Sequence, residues 1–194
     1  MKIGVLAAQG AFAEHIGTLK KLDVEAVPVR LPGEMAGIDG LIIPGGESTT
    51  ISRLMLAYDL AREIESRAAQ GMPLFGTCAG LILLARDIID NGARSLALMD
   101  IRVRRNAFGR QVDSFETEIN VPALGKKPFP AVFIRAPLIE SVSGNVKVLA
   151  KLQDGTIVAT RQGKLLATAF HPELTTDLRF HRYFLDMVTG DRFK

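Results

Sequence analysis

Cys78, the single cysteine of the chain, lies in a pattern typical of a nucleophile. It stands in the middle of Gly-Thr-Cys-Ala-Gly (residues 76–80), after a short apolar run and before a stretch of helical character. A turn this sharp between a strand and a helix needs glycines around the central residue, and it lifts that side chain out of the sheet edge. The amino-terminal end of the next helix then favours a thiolate. The alternative is a small, buried cysteine in a glycine-rich turn, but strand, glycines and helix together favour the nucleophile.

His171 is the candidate base for this thiol. It follows a predicted strand in Phe-His-Pro-Glu-Leu (170–174), and Pro172 keeps it out of helical geometry. Taken alone, a His-Pro-Glu run is more typical of a turn that ends a strand. Glu173, however, is two residues on, and side chains at i and i+2 of an extended segment point the same way. Given the cysteine turn, the sequence predicts a triad in which Cys78 attacks, His171 transfers protons and Glu173 orients the imidazole.

The other two histidines receive structural interpretations. His15 lies beside Glu14 on the predicted first helix, and His181 lies between Phe180 and Arg182 on the predicted last helix. We expect both to be partly exposed or to cap their helices. No His-Glu-x-x-His motif and no cysteine pair provides metal-ligand spacing, so the sequence predicts neither a metal site nor a cofactor.

A glycine-rich segment, Pro-Gly-Gly-Glu-Ser-Thr-Thr (44–50), joins the third predicted strand to a helix. Its backbone N–H groups can face a concavity that suits an oxyanion or a carboxylate. In an acyl-transfer enzyme the amides of Gly45, Gly46 and Ala79 would stabilise a tetrahedral oxyanion. The segment lacks the lysine of a P-loop, which argues against a nucleotide site. The alternative is an ordinary loop in which Ser48 caps the helix.

Two further segments place arginines where they could meet a carboxylate. Arg104, Arg105 and Arg110 lie between two predicted strands, and Arg135 ends an apolar strand. Charged residues in turns are usually solvated, but an arginine in a cleft is also the usual partner of a substrate carboxylate. The residues alone leave both interpretations open.

Composition narrows the class of protein. The 194 residues carry 24 Lys and Arg against 21 Asp and Glu, with no Trp and two Tyr, which is weak evidence for nucleic-acid binding. One cysteine excludes an internal disulfide and a Cys-x-x-Cys motif. We find no apolar stretch of membrane-spanning length and no signal-peptide pattern. We therefore expect a cytoplasmic, reduced protein that binds neither nucleic acid nor membrane.

Hydrophobic periodicity predicts the elements that position these residues. In the first half, apolar runs alternate with helical stretches, which indicates a parallel sheet covered on both faces. The predicted strands there are 2–8, 24–29, 38–43 and 73–75, and the predicted helices are 13–22, 60–70 and stretches that begin at 48 and 80. The second half favours short strands at 101–104, 116–121, 131–134, 146–152, 156–160 and 165–169, hairpin turns at 153–156 and 161–164, and a helix at 177–187. No linker or repeat is visible, so we expect a single domain over residues 1–194.

Taken together, the motifs resemble those of the class I (triad-type) glutamine amidotransferases, and within them the glutaminase subunits of pyridoxal 5'-phosphate synthase (PdxT/SNO family). The cysteine turn and His-x-Glu specify only the wider class. The narrower resemblance rests on runs that cover essentially the whole chain: LAAQG (6–10), EH (14–15), PGGESTT (44–50), GTCAG (76–80), RNAFGRQ (105–111), FIRAP (133–137) and FHPEL (170–174). Departures are mild, since Ala7-Ala8 and Ala11-Phe12-Ala13 replace residues that are often larger or charged, near the expected partner face.

The resemblance implies a three-layer α/β/α, flavodoxin-like domain with a mostly parallel central sheet and an antiparallel extension. It implies hydrolysis of L-glutamine to glutamate and ammonia, through Cys78, His171 and Glu173 and a γ-glutamyl thioester. The positions that match the family's glutamine contacts are Gly46, Glu47, Ser48, Arg105, Ile134 and Arg135; Gln9 and Gly10 match a loop linked to oxyanion-hole rearrangement and partner contact. The ammonia would pass to a barrel-shaped synthase subunit of PdxS/SNZ type, in a hetero-oligomeric complex that makes vitamin B6.

Other functions stay open at this point. A triad glutaminase that serves another synthase, or a related cysteine hydrolase acting on an amide or ester, would share the triad. Such relatives are not expected to carry the runs at 105–111 and 133–137. A non-catalytic regulatory module of the same fold is a further alternative, against which the intact Cys78, His171 and Glu173 argue.

Overall fold

Strands and helices alternate through the first half of the chain, as the apolar runs predict. The structure is a computed structural model that describes residues 1–90, 93–105 and 114–190. The elements of the first half are β1 (Lys2–Leu6), α1 (Phe12–Lys20), β2 (Glu25–Val29), β3 (Gly40–Ile43), α2 (Ser48–Ala57), α3 (Leu60–Ala69), β4 (Leu74–Thr77) and α4 (Ala79–Leu84). Each of these strands is short and largely apolar, which suits a sheet buried on both faces.

The second half is built mainly of strands and closes with one helix. Its elements are β5 (Ala85–Ile88), β6 (Met99–Arg104), β7 (Ser114–Ile119), β8 (Phe129–Ile134), β9 (Leu138–Val142), β10 (Lys147–Lys151), β11 (Ile157–Gln162), β12 (Leu165–Thr168) and α5 (Arg179–Thr189). Both predicted hairpins are present, since β10 pairs with β11 and β11 with β12 in antiparallel fashion.

One ten-stranded sheet joins the two halves. Its order is β2-β1-β3-β4-β12-β11-β9-β6-β5, with β10 added on β11, and β7 and β8 form a separate pair. The strands from β2 to β12 in this order run parallel, whereas β11, β9 and β6 add in antiparallel fashion. The prediction of an α/β fold with a mostly parallel sheet and an antiparallel extension is confirmed.

The two faces of the sheet can be read from neighbouring residues of β4, because consecutive side chains of a strand point to opposite faces. Phe75 contacts Phe184 of α5, with ring centroids 5.6 Å apart, and His15 of α1, with ring centroids 6.4 Å apart. Gly76 lies against α4, where an added Cβ would come within 2.8 Å of Leu84. Helices α1 and α5 therefore cover one face at β4, and α4 covers the other. No helix within the described ranges has the length and apolar character that a bilayer crossing requires.

The structure corrects the sequence prediction at three places. Helix α4 ends after Leu84, and β5 follows it without a break. Strand β9 lies in a stretch where we predicted no strand. Ser48 does not cap α2: the cap is Glu47, whose carboxylate accepts hydrogen bonds from the N–H groups of Thr49 and Thr50. Glu47 has extended backbone angles and a side chain long enough to turn back onto these amides.

Candidate active site

Cys78 occupies a tight turn between β4 and α4. Its backbone has φ +49° and ψ −100°, a conformation that costs a residue with a side chain about 1–3 kcal/mol. The glycines on either side are required by close packing. A Cβ at Gly76 would lie 2.6 Å from the backbone of Gly80, and a Cβ at Gly80 would lie 1.9 Å from the carbonyl oxygen of Ile43. The strained turn therefore has the geometry that the Gly-Thr-Cys-Ala-Gly run predicts for a nucleophile.

The pairing of two parallel strands brings His171 to this turn. Thr168 of β12 lies opposite Thr77 of β4, so the carboxyl ends of the two strands meet. The backbone N–H of Cys78 donates to the carbonyl of Thr168 at 2.8 Å, and the backbone N–H of His171 donates to the carbonyl of Val132 at 2.8 Å. Three strands thus hold the backbone on both sides of the two reactive side chains.

Glu173 completes the arrangement from a short 3-10 turn, Pro172–Leu174. Its Oε1 lies 2.7 Å from Nδ1 of His171. His171 and Cys78 line the same cavity, and the thiol of Cys78 donates to the carbonyl of Ile134 at 3.8 Å. Cys78, His171 and Glu173 are all buried, with 6–7% of each residue exposed. The structure brings the three predicted triad residues together, with His171 in contact with Glu173 and on the same cavity wall as Cys78.

The electrostatics of this trio favour a charged imidazole. Burial lowers the pKa of His171, but its hydrogen bonds with Cys78 and Glu173 outweigh that effect and raise the pKa to about 10. Burial raises the pKa of Glu173, but His15 and His171 outweigh it, so the carboxyl stays below its ordinary value. An ionised Glu173 beside a protonated His171 is the state that orients the imidazole and stores a proton.

A cavity of about 390 Å³ opens onto Cys78, within the range of small-molecule sites. Its walls are formed by the residues that match the glutamine contacts, together with two from the cysteine turn, one from α4 and His171: Gly46, Glu47, Ser48, Arg105, Ile134, Arg135, Cys78, Ala79, Ile82 and His171. All of the residues predicted to contact glutamine line this cavity. Residues 106–111, the remainder of the RNAFGRQ run, lie outside the described residues.

The cavity wall carries charges of both signs. Glu47 Oε1 lies 3.4 Å from Nη2 of Arg105, and Arg135 lies on the same wall. Burial raises the pKa of Glu47, but its hydrogen bonds from Thr50 and Thr49 outweigh that effect and lower the pKa to about 2. A permanent carboxylate and arginines around one small cavity match the ammonium and carboxylate groups of an amino acid.

The glycine loop departs from one prediction. The N–H of Gly45 donates to Oγ1 of Thr77 at 3.1 Å, so in this arrangement it is not available to an oxyanion. The carbonyl of Gly45 accepts a hydrogen bond from the N–H of Ala11 at 3.0 Å. Gly46 and Ala79 do line the cavity beside Cys78. A Cβ at Gly45 would lie 2.3 Å from Cε1 of His171, so glycine is required there for packing instead.

The loop with Gln9 and Gly10 contacts the glycine loop from the other side. Oε1 of Gln9 accepts a hydrogen bond from the N–H of Glu47 at 2.7 Å. Gly10 lies so close that an added Cβ would be 1.8 Å from the carbonyl oxygen of Gly45. Gln9 and Gly10 therefore support the cavity wall and do not line the cavity itself.

The expectation that His15 and His181 are partly exposed or capping is wrong. Both side chains are fully buried, and Nδ1 of His15 lies 3.0 Å from Nε2 of His181. Nε2 of His15 lies 3.3 Å from Oε2 of Glu173. A signal was present in the sequence, because His15 and Leu19, and likewise His181 and Leu185, are four residues apart and share a buried helix face.

Comparison with known proteins agrees with this fold. Residues 5–190 match the SNO glutamine amidotransferase family. The chain is similar to the pyridoxal 5'-phosphate synthase subunit PdxT of Herpetosiphon aurantiacus, at 60% identity over 96% of this chain and 100% of that protein. It is 60% identical to the PdxT subunit of Dehalococcoides mccartyi, over 97% of both chains.

Among solved structures, the fold is similar to one described as a glutamine amidotransferase. The TM-score is 0.91 at 48% identity, over 96% of this chain and 98% of the other. Fold and site together define a glutamine amidotransferase. The chain belongs to the SNO glutamine amidotransferase family.

Proposed function

We propose that this chain is the glutaminase subunit of a pyridoxal 5'-phosphate synthase. It hydrolyses L-glutamine to L-glutamate and ammonia, and it supplies the ammonia for vitamin B6 biosynthesis. One observation carries the proposal: Cys78 and His171, whose imidazole contacts Glu173, line one cavity whose walls carry charges of both signs. The relatives named above, which bear the name of this synthase subunit, support the same assignment.

The cavity wall suggests how glutamine lies in the site. Glu47 would bind the α-ammonium group, and Arg105 and Arg135 would bind the α-carboxylate, because each substrate charge then meets its opposite. Ser48 and Ile134 complete the wall around the chain of the substrate. This orientation directs the side-chain amide of glutamine towards Cys78.

The chemistry then needs only groups that the chain provides. The sulfur of Cys78 attacks the amide carbon of the substrate, and the electron pair of the C=O bond moves to oxygen. His171 gives its proton to the leaving nitrogen, the C–N bond breaks, and ammonia and a γ-glutamyl thioester are formed. His171 next takes a proton from water as that water attacks the thioester. The C–S bond breaks, the new carboxyl group loses its remaining proton to solvent, and glutamate and the original thiolate–imidazolium pair result.

Stabilisation of the oxyanion depends on backbone amides near the sulfur. Gly46 and Ala79, which line the cavity, are positioned to contribute N–H groups. The N–H of Gly45 is held by Thr77, and the carbonyl of Gly45 is held by the N–H of Ala11. A shift of the loop that carries Gln9, Gly10 and Ala11 would release this carbonyl and let the Gly45–Gly46 peptide turn, which links full activity to whatever contacts that loop.

The partner would be the synthase subunit, a PdxS/SNZ-type barrel, in a hetero-oligomeric complex. We further propose that residues 1–194 form one amidotransferase domain, since one connected apolar core contains both the parallel and the antiparallel strands. A cytoplasmic location fits a mechanism that depends on a free Cys78 thiol, because a reducing compartment keeps it reduced.

Glutamate release in the presence and absence of the synthase subunit tests this function. We expect Cys78→Ala to abolish release, because the nucleophile is lost. A variant that retains turnover would overturn the proposal. Activity that responds to a different synthase, or hydrolysis of esters and amides other than glutamine, would point to the alternative functions. Failure of Cys78 to react with a glutamine-like electrophile would point to a non-catalytic module.

A further inference from the structure

A line of buried polar side chains continues from the triad into the core. Nε2 of His15, on α1, lies 3.3 Å from Oε2 of Glu173 and 3.2 Å from Oγ1 of Thr77. Nδ1 of His15 lies 3.0 Å from Nε2 of His181, on α5. His15, Thr77 and His181 are completely buried. The mechanism described above uses Oε1 of Glu173 and assigns no task to the two histidines.

The second oxygen of Glu173, Oε2, lies beside the imidazole of His15. Oε2 is buried and makes no hydrogen bond of good geometry to the described part of the chain. A buried carboxylate oxygen without a donor is costly. The imidazole of His15 is the group placed to supply that donor, at the edge of hydrogen-bond distance.

The surroundings of the two histidines decide between their tautomers. If His15 carries its proton on Nε2, it donates towards Glu173 and Thr77, and its Nδ1 accepts from the Nε2–H of His181. The remaining nitrogen, Nδ1 of His181, has no partner among the described residues and is then an unprotonated acceptor. The reverse assignment turns a lone pair of His15 towards the carboxylate and leaves a buried N–H of His181 unpaired. Buried N–H groups without partners are rare, so the first arrangement is favoured.

Burial supports the neutral form of both rings. It lowers the pKa of His15, against an opposing attraction from Glu173, and it lowers the pKa of His181 further below its ordinary value. Each ring therefore carries one proton, and the position of that proton is set by its neighbours.

We propose that His15 is a positioning residue of the triad, whose Nε2–H holds Oε2 of Glu173 while His181 fixes the His15 tautomer. Glu173 is then held at both oxygens, by His171 at Oε1 and by His15 at Oε2. This keeps the plane of the carboxylate aligned with the imidazole of His171. The role rests on the proposed glutaminase function, whereas the tautomer and the contact do not.

The first test measures the tautomers directly. The chain has three histidines, so ¹⁵N-histidine labelling of the full-length protein gives a spectrum simple enough to assign. We expect His15 and His181 to be neutral and protonated at Nε2 near pH 7. A His15 signal from the Nδ1–H tautomer, or from an imidazolium, would overturn the proposal whatever the activity is.

The second test compares two substitutions that place an amide nitrogen at different ends of the ring. Gln in His15→Gln reaches the position of Nε2, whereas Asn in His15→Asn reaches only that of Nδ1. In the assembled complex with the synthase subunit, we expect His15→Asn to lower kcat roughly 10- to 100-fold, as for a lost hydrogen bond to a charged group, with KM for glutamine unchanged. His15→Gln should restore most of the rate.

The outcomes distinguish the proposed role of His15 from the proposed glutaminase function. Equal losses in both folded variants, or no loss in His15→Asn, would contradict a positioning role. Absence of glutaminase activity in the wild-type complex would instead contradict the proposed function, and the tautomer measurement would then decide the His15 contact alone. If His15→Asn does not fold, the wild-type tautomers and the rate of His15→Gln still decide the question.

Discussion

Cys78 combines its proposed chemical role with a backbone conformation that side chains rarely adopt. Its φ of +49° is tolerated because β4, α4 and the adjacent glycines leave the turn no alternative path. Gly76 and Gly80 are thus required for the turn to form, whereas Cys78 is the residue to which we assign the chemistry. The turn would be easier to form with glycine at position 78.

This strain predicts opposite effects of one substitution on stability and activity. We expect Cys78→Gly to have a higher free energy of unfolding than Cys78→Ala, by about 1 kcal/mol, because only glycine adopts positive φ without a Cβ penalty. Both variants should lack glutaminase activity. Urea unfolding monitored by circular dichroism measures the difference. A less stable Cys78→Gly would show that the turn stores no strain.

Arg105 and its neighbour Arg104 form a matched pair for testing the substrate contact. Arg105 lines the cavity and lies 3.4 Å from Glu47, whereas the side chain of Arg104 pairs with Glu140. We expect Arg105→Ala to raise KM for glutamine roughly tenfold or more, with a smaller change in kcat, because a charged hydrogen bond is lost. Arg104→Ala should leave KM unchanged. Equal effects in the two variants would contradict the assigned contact.

At the scale of elements, Glu47 links helix stability to the cavity wall. It caps α2 through Thr49 and Thr50 and also lies beside Arg105. Its low pKa, about 2 against an ordinary 4.5, means that the stabilisation is complete above pH 4.5 and is lost as pH falls through 2. One residue therefore connects the start of a helix to the wall of the cavity.

Removal of this cap should destabilise the protein in a pH-dependent way. We expect Glu47→Ala to lower the free energy of unfolding by about 1 kcal/mol at neutral pH, as is typical of a lost N-cap. The difference from wild type should shrink as pH falls from 4.5 towards 2, because the wild-type carboxyl becomes protonated. Unfolding curves at several pH values measure this. A difference independent of pH would contradict the cap assignment.

Local sequence pattern predicted most elements but not all of them. The strands β1, β3 and β4 are short, largely apolar runs that are each followed within four residues by a glycine, and their length and composition suffice to identify them. β5 was missed because its first residue continues the apolar run of α4 with no glycine or proline between them. β9 was missed because it is a short run, Leu138–Val142, whose partners β6 and β11 are distant in sequence. Such strands depend on their partners more than on their own residues.

In the site, too, features that depend on local motifs could be predicted, whereas features that depend on distant parts of the chain could not. Cys78, His171 and Glu173 could be predicted because each lies in a motif whose local geometry explains its chemistry. The burial of His15 and His181 was not predicted, since a histidine on a helix is read as polar until the groups that satisfy it are known. Those groups, Thr77 and Glu173, come from other elements.

At the scale of the whole molecule, two neutral histidines in the core make stability depend on mild acid. Burial lowers the pKa of His15 and His181, so the folded state stays neutral while the unfolded chain takes up protons below about pH 6.5. The stability that these two rings contribute is therefore complete above pH 6.5 and is lost as pH falls. His171, whose pKa is raised, contributes a constant amount below pH 6.5.

The loss of stability in mild acid should be steep, and its slope should depend on the number of buried histidines. We expect the free energy of unfolding to fall between pH 6.5 and 5 by at most about 1.4 kcal/mol per pH unit for each histidine. His15→Gln, which removes one of the two titrating groups, should show about half the slope. Chemical unfolding across this range measures both slopes. A stability that is flat between pH 6.5 and 5 would contradict neutral, buried imidazoles.

The register between β4 and β12 has a consequence for how activity arises during folding. Cys78 and His171 meet only when Thr77 pairs with Thr168, two positions far apart in the chain. Contacts between residues so far apart in the chain form late, because the entropy of closing the intervening loop is lost before the contact contributes any stability. The helices and β-hairpins can therefore form before Cys78 and His171 become neighbours. In refolding, the reaction of Cys78 with a glutamine-like electrophile should therefore occur later than the gain of helical signal. The rate of this labelling would measure when β12 inserts into the sheet.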